Sequence, residues 1–176
     1  SLHDALPICL IENLQAFLNS AGEDSLAKAK YWYTKIQNQY PYFLTEITGG
    51  SLLEGAAVYV ELVGATIAKY GCGTSNDTLI REIMSHHERL LPTGPSQYAD
   101  TSMTNFIYDY EPYIYLGIRK LNREDRLVNA TTQTGLVFDA LFDGIPSKPD
   151  LIDRPKMKEA IEKQITIANR GLVPQP

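Results

Sequence analysis

Apolar residues recur three and four positions apart along almost every segment of this chain, and no feature restricts its fold more. That spacing lines up side chains on one face of an α-helix, whereas a half-buried strand needs strict alternation. Leu10, Leu14, Phe17 and Leu18 carry it between Cys9 and Asn19. A second helix, capped by Ser20 with Glu23 or by Asp24 alone, runs to Tyr40 and stops at Pro41. Its inward residues are Leu26, Ala29, Tyr33, Ile36 and Tyr40. After the Thr48-Gly49-Gly50 break, Ser51-Leu52-Leu53-Glu54 has the form of a capping box opening a helix to Tyr70, with Gly71 as its stop. Asp77 to Leu91 is the next helix, with Leu79, Ile83, His86 or His87, and Leu90 inward, and Pro92, Gly94 and Pro95 form the loop after it. Thr101 to Asn122 is helical in pattern but holds Pro112, so a kink or two meeting helices is expected. Gln133 to Phe142 is a short helix closed by Asp143-Gly144, and Asp153, with Pro155 in the first turn, caps a last one ending before Gly171. Strand signals are poor. The expected class is all-α, a single compact multi-helix domain of about seven helices.

At 176 residues the chain is long enough for one domain to bury a core without disulfides. Two cysteines, Cys9 and Cys72, make no disulfide framework. A net charge of −5 with no long run of either sign argues against a nucleic-acid partner, which needs a clustered basic face. No apolar run is long enough for a membrane span, since Glu61 interrupts the longest. Ser1 to Ile8, SLHDALPI, resembles the in-frame translation of a sequencing-library adapter, so residues 1–8 are set apart from the domain at 9–176. On that reading the native N-terminus is missing, and His3 drops out of any functional argument.

Ser51 to Tyr70 is the most informative stretch. Leu52, Ala56, Tyr59, Val60, Val63 and Ile67 form one apolar stripe. The opposite side carries Glu54, Ala57, Val58, Glu61, Ala65 and Ala68 rather than a charged face, which predicts a helix buried nearly all round. Glu54 and Glu61 lie almost in line on that second side. A buried carboxylate needs a pairing partner, hydrogen bonds or a metal. The plainer assignments are a capping-box partner of Ser51 for Glu54 and an edge position beside a Lys or Arg for Glu61.

The string Leu53-Glu54-Gly55-Ala56-Ala57-Val58-Tyr59-Val60-Glu61 resembles the "E-G-x-A-x-Y" segment of gluzincin-type zinc metallopeptidases. The resemblance implies that Glu54 is the third zinc ligand, on a helix downstream of a His-Glu-x-x-His helix. One carboxylate and two imidazoles leave zinc an open position for water. A second echo, Tyr110-Glu111-Pro112-Tyr113, is similar to the family's "Y-E-x-G" segment, which implies that Tyr110 stabilises the tetrahedral intermediate. Here Tyr113 stands at the glycine position and Pro112 intrudes. No His-Glu-x-x-His occurs in the chain, so two ligands and the general base are absent from it.

Other clusters have simpler explanations. Glu82, His86, His87 and Glu88 share one helix, and Glu82 and His86 face the same way, but no Glu-x-x-His is present for a di-iron pattern. Histidines near a helix C-terminus account for them. Tyr98, Tyr108, Tyr110, Tyr113 and Tyr115, like Tyr31, Trp32 and Tyr33, suit core and rim packing better than a ligand groove. Asn76-Asp77-Thr78 and Asn129-Ala130-Thr131 fit the glycosylation sequon but read as a helix start and a loop. Cys72, between two glycines, is a turn residue rather than a nucleophile. Two readings of function follow. One is the C-terminal helical portion of a zinc-dependent metallopeptidase-like protein, inactive as given. The other is a non-catalytic helical module that binds a peptide or protein partner.

Overall fold

The computed structural model describes residues 2–39, 55–90, 102–127 and 137–151, with side-chain surroundings for 9–19, 22–39, 55–85, 111–127 and 137–151. The architecture is all-α, with no strand among the described residues. In chain order the elements are α1 (Leu2–Ala16), a π-helical turn (Phe17–Ala21), α2 (Gly22–Gln39), α3 (Ala56–Tyr70), α4 (Asn76–Leu90), α5 (Ser102–Lys120) and α6 (Val137–Phe142). One hydrophobic cluster draws residues from every element, among them Leu14, Phe17, Leu26, Leu62, Leu79, Leu116 and Phe138. At its centre α5 touches α1, the π turn, α3, α4 and α6.

The inward residues expected of the first two helices, Leu10, Leu14, Phe17, Leu18, Leu26, Ala29, Tyr33 and Ile36, are all buried. Tyr40 lies outside the described residues. No loop separates these helices: α1 widens into the π turn, and Gly22, with φ of +73°, reverses the chain. A side chain there would meet nothing, so glycine is favoured by backbone conformation alone. The Lys120 ammonium donates to the carbonyls of Phe17 (2.7 Å) and Leu18 (3.0 Å), satisfying acceptors where the helical ladder changes pitch.

Gly71 stops α3 as expected, with φ of +91° and its N–H on the Ile67 carbonyl at 2.7 Å. The Ser51–Glu54 capping box lies outside the described residues. The expectation that this helix is buried nearly all round is corrected. Only Leu62 and Thr66 are buried, and Val60, assigned to the inward stripe, is 64% exposed. Ala57, Glu61, Gly64, Ala65 and Ala68 are exposed as well. α3 packs on α4 and α5 from one side, and small residues on both faces do not specify which face is covered. Thr66 is tolerated inside because its hydroxyl donates to the Leu62 carbonyl at 2.8 Å.

The Ser75 hydroxyl accepts the Thr78 N–H at 3.3 Å and caps α4, whose residues Leu79, Ile80, Ile83 and Met84 are buried. α5 runs through Pro112 as one helix. An interior proline costs about 3 kcal/mol or more. Burial of Tyr113, Ile114, Tyr115, Leu116 and Ile118 in the core offsets that cost. A Schellman closure ends α5: Asn122 takes φ of +53°, Asn122 N–H reaches Arg119 O (2.9 Å), and Arg123 N–H reaches Ile118 O (3.0 Å). The helix expected from Asp153 lies outside the described residues. Among those described, no helix is long and apolar enough to cross a membrane.

After α6 the chain turns at Gly144 (φ +71°) and residues 145–151 cross back over α1 and α2 as a strap. Lys148 N–H donates to Ala27 O at 3.1 Å, and its ammonium pairs with Asp24. Asp150 accepts from Asn13 (3.0 Å) and from the indole N–H of Trp32 (2.8 Å). Because Trp32 is the one tryptophan, its fluorescence reports on the strap. Asp150→Ala is expected to shift the emission to the red and to cost about 1–3 kcal/mol, the scale for stranding a donor from a charged acceptor. An unchanged emission maximum would show that the strap does not depend on this carboxylate.

Candidate functional site

The site is built where the start of α3 meets the middle of α5. Gly55, immediately before α3, lies directly against α5. A Cβ added there would lie 1.2 Å from Glu111 Oε2, 2.2 Å from its Cδ and 2.7 Å from its Cβ. The Glu111 carboxylate thus occupies the space that any other residue at 55 would fill. Glu111 is fully buried. One turn further along each helix, Tyr59 and Tyr115 stack with centroids 5.1 Å apart and planes at 17°. Another turn along α5, the Arg119 guanidinium donates to the Tyr59 hydroxyl (3.1 Å) and to the Asn76 side-chain carbonyl (2.9 Å). The glutamate, the stacked tyrosines and the arginine form one row, because residues four apart lie on one helix face. Burial, and then the neighbouring Glu111 carboxylate, push the Tyr115 phenol well above its ordinary range.

Glu54, the candidate zinc ligand, lies outside the described residues, although Gly55 beside it is described. Tyr110 sits in α5, directly before Glu111, and its side chain lies outside the described set. Glu61 is exposed. Glu82 accepts a hydrogen bond from the Tyr70 hydroxyl at 2.7 Å, with Lys69 at 3.4 Å. The Tyr70 bond, then Lys69, lower its carboxyl pKa. His86, His87 and Glu88 have side chains outside the described set. Among the described residues no three His, Cys, Asp or Glu side chains come together as a metal site.

Helical spacing assigns Glu111 no role of its own, although it sits four residues before Tyr115 and seven before Ile118, on the apolar face of its helix. Tyr113 and Tyr115 are buried, as are Trp32 and Tyr33, so these aromatics serve the core. Asn76 is engaged by Arg119 and approaches Asn122 at 3.5 Å, which suits a helix start rather than a glycan acceptor.

Cys72 is exposed in the turn after α3, and Cys9 is partly buried. Burial first, then the carboxylates of Glu12 and Asp150, push the Cys9 thiol up to about 11. Cys72 is expected to react with a disulfide reagent at pH 8 on the order of tenfold or more faster than Cys9, since only the thiolate attacks. Equal rates in the folded protein would contradict this placement. The same shift lowers stability in alkali. As pH rises from the ordinary thiol range to about 11, the unfolded chain gives up its proton before the folded one does.

Compared with known proteins, the chain matches no family model, no curated protein and no solved structure.

Proposed function

We propose that this chain is the C-terminal helical portion of a zinc-dependent metallopeptidase-like protein and is not catalytic by itself. The observation that supports this reading is the seating of Glu111 on Gly55. Glu54 precedes Gly55 and Tyr110 precedes Glu111, so the contact joins the two segments that carry the resemblance. On this reading the Glu54 carboxylate is one zinc ligand, and the Tyr110 hydroxyl donates to the oxyanion of a tetrahedral intermediate. The two imidazoles and the general base would come from a His-Glu-x-x-His segment that this sequence does not contain.

The test is the reading frame upstream of Cys9. Expressed with that upstream sequence, the protein is expected to hold one zinc per chain through dialysis against a mild chelator, and to lose it on Glu54→Gln. The 176-residue chain alone is expected to lose its zinc, since a single carboxylate is too few ligands. An upstream frame without His-Glu-x-x-His, or an extended protein that holds no zinc, would overturn the reading. A second reading, a helical interaction module, is favoured by the exposed apolar and small residues along α3. The zinc measurement separates the two.

A further inference from the structure

We draw no further inference here: the strongest candidate, the outer face of α3 formed by Ala57, Val60, Gly64, Ala65 and Ala68 around the exposed Glu61, is a face of mostly small and apolar residues, and nothing among the described residues shows what covers it.

Discussion

Gly55→Ala is expected to destabilise the protein by about 2–3 kcal/mol, near the upper end of the range for overpacking a filled core. One methyl group is a small change, and on an exposed helix it would be stabilising. Here the new carbon would sit 1.2 Å from a carboxylate oxygen and 2.7 Å from the Glu111 Cβ. The end of the Glu111 side chain can rotate away, but its Cβ cannot, so α3 and α5 must separate. Separation would also pull apart the Tyr59–Tyr115 stack one turn along. Glu111→Ala removes the carboxylate and so relieves the two shortest overlaps. The double variant should therefore lose less stability than the two single losses added together, a coupling that a double-mutant cycle in denaturant measures directly. Gly55→Ala within about 0.5 kcal/mol of wild type, the usual range for surface substitutions, would mean that the two helices do not approach this closely.

Phe138→Ala is expected to cost more, about 3–5 kcal/mol, the range for truncating a buried aromatic. Phe138 is fully buried and stacks on Tyr33 with centroids 4.8 Å apart, while Phe142 stacks on the same tyrosine at 5.2 Å. α6 has six residues, too few to be stable from its own hydrogen bonds, so this aromatic cluster is what holds it. The strap at 145–151 leaves from the end of α6, so the loss should spread. Trp32 emission should shift red in the same variant, because the strap's acceptor for the indole N–H is Asp150. A loss below about 1.5 kcal/mol in a thermal or denaturant melt would place Phe138 at the edge of the core rather than within it.

The readable part of this fold is the part set by local rules. Leu10 and Leu14 are inward by spacing alone, and they are buried because 3.6 residues per turn leave them no other face; Phe17 and Leu18 follow them into the core although they lie in the π turn. Gly71 and Gly144 were legible as stops, since both take positive φ that other residues adopt at a cost. Two features depend on more than local rules. Pro112 permits a kink or two meeting helices, and α5 continues through it as one helix because packed neighbours surround it. Val60 belongs to the inward stripe by spacing, but α3 is apolar or small on both sides, and its rotation follows from what α4 and α5 present to it.

The candidate site divides in the same way. The sequence by itself determined that the described segments are helical and where most of those helices begin or end. Each of these depends on residues within a turn or two of one another, where backbone geometry sets the outcome. Only the tertiary structure decided that Gly55 and Glu111 share one space, that Tyr59 meets Tyr115, and that Arg119 bonds both Tyr59 and Asn76. A glycine in a helical pattern reads as a local weakness until the partner helix is known. A glutamate on an apolar face reads as an edge residue until the space around it is seen to be filled. Close approach between distant segments depends on how whole helices pack, and spacing along one helix carries no record of the surface that packs against it.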